Sequence, residues 1–300
     1  MCTLIALHRA VPGVPLVVAA NRDEFLARPA EGPAVRELAG GQRVLAPLDL
    51  QAGGTWLGVN ADGVFAAVTN RPVPELEPER RSRGLVVTDA LRSSSAAEAA
   101  GFLAALPGGA YNPFNCFVAD AERAFACVYQ EAPEVSELEA GAHVIGNGEP
   151  NDRSHSKIGR ILGRAEQAAK MPREGVLDAL AEICREHEAG GDPRSDTCVH
   201  LGGTGWGGYG TRSSVLLMLA DPDSAPDLNP EPGKTGAVAA LEDVRRTREA
   251  GRLGFGPASR FLSADGAPCE APYRDFTSLL DELSQRARTA GGEILARKAS

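Results

Sequence analysis

Cys2 stands directly behind the initiator methionine, and the second apolar run of the chain ends in Asn21-Arg22-Asp23-Glu24. Removal of Met1, which aminopeptidases generally carry out ahead of a small residue, leaves Cys2 with a free α-amine. A cysteine thiol has a pKa of about 8.5 and an α-amine about 7.7 to 8, so one residue then holds a nucleophile and a base that exchange protons near neutrality. An amine activating its own side chain is a route to covalent catalysis that needs no distant histidine. A plainer reading stands beside it, in which Cys2 is a small buried hydrophobe at the start of a strand. Strand alternation points Arg22 and Glu24 to one face and Asn21 and Asp23 to the other. If the first two apolar runs form a hairpin, one of these pairs flanks Cys2. An arginine there lowers the thiol pKa, and a carboxylate orients the amine. The alternative is a solvated strand exit with Asp23 capping a turn.

The elements that would position these residues follow from periodicity. Thr3 to Leu7 and Pro15 to Ala20 are apolar on both faces, as in strands covered on both sides, with Pro12-Gly13 turning the chain between them. Residues 28 to 52 read as a Pro/Gly-rich connection. Thr55 to Val59 and Val64 to Thr69 form a hairpin through Asn60-Ala61-Asp62-Gly63. A helical segment covers 84 to 106 with a break at Ser93-Ser94-Ser95. Strands are expected at Asn115 to Ala119, Ala124 to Tyr129, Val135 to Leu138 and His143 to Ile145. Helices are expected near 156 to 170 and 174 to 188, followed by a loop at 190 to 210. Thr211 to Leu219 reads as a buried strand, 221 to 234 as irregular, and 238 to 250 and 274 to 290 as closing helices. Strands crowd the middle and helices sit in blocks beside them, which predicts layered sheets with helices outside in one domain, 1–300.

Composition sets the outer limits. Hydrophobic residues make up 43% and charged residues 24%, an ordinary globular mixture, and the net charge of −9 disfavours nucleic acid or an anionic membrane as partner. Six cysteines, at 2, 116, 127, 184, 198 and 269, are too sparse for a disulfide scaffold, so reduced thiols in a cytoplasm are expected. The first twenty residues lack a basic start, and His8, Arg9, Pro12 and Pro15 interrupt them, which argues against a signal peptide. No stretch approaches the roughly 18 uninterrupted apolar residues of a membrane span. Oligomeric state is not readable.

The motifs "MCTLIAL" and "AANRDEF", then "GGTWLGVNADGVFAAVTNRP", "RSRGLVVTDAL", "YNPFNCFVAD", "HVIGNGEPNDRSHSKI" and "YGTRSSVLLML", resemble, in order, the blocks of the Asn-Arg-Asp-Glu motif family, also called the transport-and-Golgi-organisation family. The resemblance covers most of the chain and departs in the Gly-rich stretch before Tyr209 and in the tail, 221–300. That family in turn resembles the N-terminal-nucleophile hydrolases of the penicillin V acylase and bile salt hydrolase type. The resemblance implies an α+β fold, a four-layer αββα sandwich. It implies an amide-bond hydrolase or acyltransferase of a small molecule, with Cys2 as nucleophile, Arg22 and Asp23 beside it, and Asn70 and Asn147 holding an oxyanion. One oxyanion donor is worth about 3 to 4 kcal/mol of barrier. Arg212 matches a further active-site arginine. The bland reading of both asparagines is turn capping beside glycine. Eukaryotic relatives have been linked to haem trafficking and lipid metabolism, so the rival function is a haem- or lipid-related binding protein; no Cys-x-x-Cys-His motif is present.

Other signals carry less. Cys184 falls on one helical stripe with Val176, Leu177, Leu180, Ile183 and His187, which core packing explains, and Cys198-x-His200 is poor zinc spacing, so no metal and no cofactor are expected. "GTGWGG" at 203 to 208 precedes a strand rather than a helix, so it reads as a rim loop carrying Trp206 and Tyr209, not a dinucleotide fingerprint. Asp221-x-Asp223 lacks the rest of a calcium loop. His8, His143 and His155 are isolated and read as structural or exposed.

Overall fold

The computed structural model describes residues 2–187, 191–203, 207–222 and 255–284. Its elements, in chain order, begin with β1 (Thr3–Val11), β2 (Val14–Phe25), β3 (Ala30–Glu37), β4 (Arg43–Asp49), β5 (Leu57–Asn60) and β6 (Phe65–Asn70). Then come α1 (Arg83–Ala90), α2 (Ala96–Ala104), β7 (Phe114–Ala119), β8 (Ala124–Tyr129), β9 (Pro133–Leu138) and β10 (Gly141–Ile145). The described residues close with α3 (Ser156–Ala168), α4 (Arg173–Cys184), β11 (His200–Leu201), β12 (Tyr209–Leu219), β13 (Arg260–Ala264) and β14 (Arg274–Asp275). Residues 278–284 are helical.

Two antiparallel sheets result. The first runs β10-β1-β2-β12-β13-β14, with β11 added to the end of β12; the second runs β3 through β9 in sequence order. Leu4, Leu16 and Val18 of the first sheet and Leu57, Val59, Phe65 and Phe117 of the second share one buried cluster, so the sheets pack face to face. Val86, Val87, Ala99 and Leu103 of α1 and α2 cover the outer face of the second sheet. Ile158, Ile161, Leu180 and Ile183 of α3 and α4 cover the outer face of the first. The order of layers is therefore αββα. The near-continuous burial of β1 and β2 follows, since both lie inside a sheet covered on both faces.

The helix break predicted at the serines has a physical cause. Ser95 Oγ accepts the N–H of Glu98 at 3.2 Å and caps α2, while the Glu98 carboxylate reaches back to the Ser94 N–H at 2.7 Å. Asn60, fully buried, holds the β5–β6 turn: its Oδ1 accepts from Asp62 N and Val64 N, and its Nδ2 donates to Leu91 and Ser93 carbonyls.

Three expectations need correction. Residues 28 to 52 contain the hairpin β3–β4, not a bare connection. β3 is a half-exposed edge strand whose apolar alternation is weak, and Pro33 sits where its register shifts between Glu31 and Ala34. β13 was not anticipated; five residues between loops leave little periodicity. Part of the predicted helix at 274 to 290 is strand β14, and its end past 284, like the helix at 238 to 250 and nearly all of 221 to 234, lies outside the described residues.

The N-terminus of α1 is set by a backbone contact. A Cβ on Gly54 would stand 2.4 Å from the Gly84 carbonyl carbon and 2.7 Å from Leu85 N. Gly54→Ala is expected to push α1 away and cost about 1 to 3 kcal/mol, the range for overpacking, read as a lower urea midpoint with unchanged m-value. A wild-type midpoint would contradict that contact.

Candidate functional site

The position of Cys2 is fixed by strand register. β1 lies between β2 and β10, pairing Thr3 with Asn21 and Leu4 with Ile145. The residue ahead of Thr3 therefore lies between Arg22-Asp23 on one side and Gly146-Asn147 on the other. Cys2 is half-buried, and its Sγ–H points to the Asp23 carbonyl at 3.8 Å. Two clefts share Cys2 in their walls. One is lined by Arg22, Glu24, Arg28, Trp56, Asn70 and Arg83. The other is lined by Thr3, Asn147, Asp152, Lys157 and Arg194.

The four residues of the Asn-Arg-Asp-Glu cluster divide their work by face. Asn21 is a structural clamp, 2% exposed: its Nδ2 donates to the Cys184 and Thr197 carbonyls at 2.8 and 2.9 Å, and its Oδ1 accepts from Ser214 Oγ at 2.7 Å. Asp23 faces the same side and is 1% exposed. Its Oδ1 accepts from Thr211 Oγ1 at 2.6 Å, and Thr211 Oγ1 in turn accepts the Val199 N–H at 2.8 Å. Arg22 faces the second sheet, with its guanidinium 4.3 Å from the Trp56 ring centroid and Nη2 3.8 Å from Glu24. Thus the two faces of the strand reach Cys2 from different sides, rather than one pair alone flanking it.

Asn70 and Asn147 come together. Asn147 Nδ2 donates to the Asn70 carbonyl at 2.5 Å, and the two residues line the two clefts that share Cys2, Asn70 the first and Asn147 the second. The Asn147 loop is pinned to β6 and β7: Thr69 Oγ1 and Asn115 Nδ2 both donate to the Gly146 carbonyl, and Arg71 Nη1 and Asn115 Nδ2 to the Gly148 carbonyl. Arg212 stands apart. It sits at a bulge where β12 shifts register between Thr211 and Ser213, and its Nη1 lies 2.5 Å from Asp265. It lines a cavity of about 210 Å³ that Arg22 and Trp56 separate from Cys2. Trp206 of the expected rim loop lies outside the described residues.

Sequence reasoning missed Lys157, Arg83 and Asn115. Lys157 is one of four lysines in the chain and is buried in the first turn of α3, facing Asp23, Cys2 and Asp196. The rarity of lysine was its one available signal. His143 is structural, with Nε2 2.8 Å from the Glu139 carbonyl and Nδ1 3.0 Å from Asn151 Nδ2.

Burial dominates the electrostatics. It pushes the Cys2 thiol above its ordinary value, against the lowering effect of the amino terminus. It pushes the Asp23 carboxyl up from 3.8 to about 6, opposed by the amino terminus, the Thr211 hydrogen bond and Lys157. It lowers Lys157, partly offset by Asp23.

The family model for Transport and Golgi organisation 2 matches residues 1–225, and the chain belongs to that family. A human Transport and Golgi organization protein 2 homolog is 27% identical over 235 residues, 68% of this chain and 82% of its own. A mouse Transport and Golgi organization 2 homolog is 30% identical over 186 residues, 58% of this chain and 66% of its own. Among solved structures, a Caenorhabditis elegans N-acylethanolamine-hydrolyzing acid amidase ortholog is similar at 12% identity and a TM-score of 0.48, covering 72% of this chain and 92% of that one. Penicillin V acylase from Agrobacterium tumefaciens is similar at 12% identity and a TM-score of 0.43, covering 74% of this chain and 83% of that one. Among the described residues no helix is long and apolar enough to cross a membrane.

Asp23 generates a pH prediction. Its folded pKa lies above its unfolded value, so the native state holds the extra proton between about 4 and 6, and stability falls as pH rises through that window. Asp23→Asn removes this penalty while keeping an acceptor for Thr211. The variant and wild type are expected to unfold alike below about pH 4 and to diverge above it, with the variant more stable by ~3 kcal/mol at neutral pH. Urea titrations across pH test this; parallel curves would contradict it.

Proposed function

We propose that this member of the Transport and Golgi organisation 2 family is a cysteine-dependent hydrolase or acyltransferase of amide or acyl bonds in small molecules, with Cys2 as nucleophile once Met1 is removed. The observation that carries this reading is the place of Cys2 in the walls of two clefts, one shared with Asn70 and the other with Asn147, with its sulfur beside the Asp23 carbonyl.

Burial keeps Cys2 a thiol at neutral pH, so attack needs a base within reach. The α-amine of processed Cys2 is that base, and its ordinary pKa of about 7.7 to 8 suits the task. Asp23, ionised above about pH 6, orients it. As sulfur bonds to the substrate carbonyl carbon, the thiol proton passes to the amine and the carbonyl π electrons move to oxygen. Amide N–H groups of Asn70 and Asn147 stabilise that oxyanion. Collapse expels the leaving amine, which takes the proton from the ammonium, and a thioester remains on Cys2. Water, or an acceptor amine or alcohol, then takes the acyl group with the same base assisting. Arg22, Arg28 and Arg83 outnumber Glu24 and Asp49 in one cleft, which favours a substrate with an anionic or strongly polar end.

A thiol-directed acylating probe tests the reading. Label is expected on Cys2 by peptide mapping, absent in Cys2→Ala, and slowed about 10²- to 10³-fold in Asn147→Ala. The wild-type rate is expected to fall as pH drops below about 8, where the α-amine gains its proton, and to fall further through about 6, where Asp23 does; only the lower inflection is expected to vanish in Asp23→Asn. Label confined to other cysteines, or undiminished in Cys2→Ala, would overturn the assignment.

A further inference from the structure

Away from Cys2, His187, Cys198, His200 and Cys269 converge from three separate parts of the chain. Their four ligand atoms lie within 4.8 Å of one another. Cys198 Sγ is 3.5 Å from Cys269 Sγ and 3.6 Å from His200 Nε2, and His200 Nε2 is 3.2 Å from Cys269 Sγ. A tetrahedron with zinc–sulfur bonds near 2.3 Å and zinc–nitrogen bonds near 2.0 to 2.1 Å has edges of roughly 3.3 to 3.8 Å. Three observed edges match these lengths to within a few tenths of an ångström. We propose that these four side chains form a structural Cys₂His₂ site for zinc.

The surroundings hold the ligands in place. α4 ends at Cys184, so His187 leaves the helical stripe on which the sequence placed it, and its ring lies 5.1 Å from that of His200. The Cys198 N–H donates to the Glu186 carbonyl at 3.1 Å, seating Cys198 beside His187. Arg185 Nε donates to the Pro268 carbonyl at 3.2 Å, bringing the Cys269 loop to the same place. His187 Nδ1 lies 3.6 Å from the Asp196 carboxylate, which assigns Nε2 to the metal and supplies the outer carboxylate that metal-bound imidazoles commonly have. Four protein ligands leave no open position, and two thiolates with two imidazoles select zinc over hard cations. On binding, each thiol releases its proton to solvent and the site carries no net charge. Cys-x-His spacing alone gave no sign of this, because the other two ligands lie outside the local motif.

The site fastens the exit of α4, β11 and the loop between β13 and β14. The segment it would hold includes Thr197, whose carbonyl takes Asn21, and Val199, whose N–H meets Thr211. The inference does not rest on the chemistry of Cys2, and its test reads metal rather than turnover. The full chain, purified without chelator, is expected to carry about one zinc per molecule by elemental analysis. Chelated wild type, kept reduced, is expected to bind Co²⁺ with the strong visible bands of a tetrahedral site and a thiolate charge-transfer band. Cys198→Ser and His200→Ala are expected to fall below about a tenth of wild-type zinc, while Cys2→Ala retains it. Co²⁺ uptake by wild type keeps the test decisive should a variant fail to fold. Absence of tetrahedral Co²⁺ binding, zinc retained in Cys198→Ser, zinc lost in Cys2→Ala, or a Cys198–Cys269 disulfide that yields no metal binding after reduction would overturn the proposal.

Discussion

Pairing of β1 between β2 and β10 is the constraint from which the candidate site follows. Once Thr3 faces Asn21 and Leu4 faces Ile145, the residue before Thr3 has no other place than between the ends of two neighbouring strands. A slip of one residue in either ladder would turn Cys2 to the wrong face and exchange the side chains of β1 between the two packed layers, each fitted to the other set. Burial of β1 on both faces makes that slip costly through misfit, at about 1 to 3 kcal/mol for each large side chain forced into the wrong layer. The position of Cys2 is thus a by-product of core packing.

Around that sulfur the fold spends stability on buried polar groups. Asp23 is carried in a nearly dry environment, held by Thr211 and facing Lys157, at the cost implied by its raised pKa. Asn21 brings the chain around 197 against β2, and Thr211 links Asp23 to Val199 in that same segment. The Cys198 cluster therefore sits one residue from the hydrogen bonds that support the acid. A cross-link there would stiffen the floor under Cys2 without touching the clefts.

Much of this was legible in the residues. Strands apolar on both faces announced covered sheets, Ser93-Ser94-Ser95 announced the helix break, and the ordered motifs placed the family and the four layers. What escaped had specific causes. β3 is an edge strand whose outward residues are polar and whose proline falls at a bulge, so its pattern resembles loop. Arg212 shares a motif with Thr211, but a bulge turns it into a different cavity. Lys157 and Asn115 gain their meaning only from strands and loops far away in sequence. The histidine–cysteine cluster draws on residues 187 and 269, and no local spacing rule spans that distance.

The central claim is that Cys2 acts as an N-terminal residue, with its own amine as base. Intact mass spectrometry of the protein, expressed with no tag ahead of Met1, measures this directly. The account predicts a chain lighter than its encoded sequence by one methionine residue, ending in a free cysteine amine. Protein that keeps Met1 and still acylates at Cys2 would contradict it.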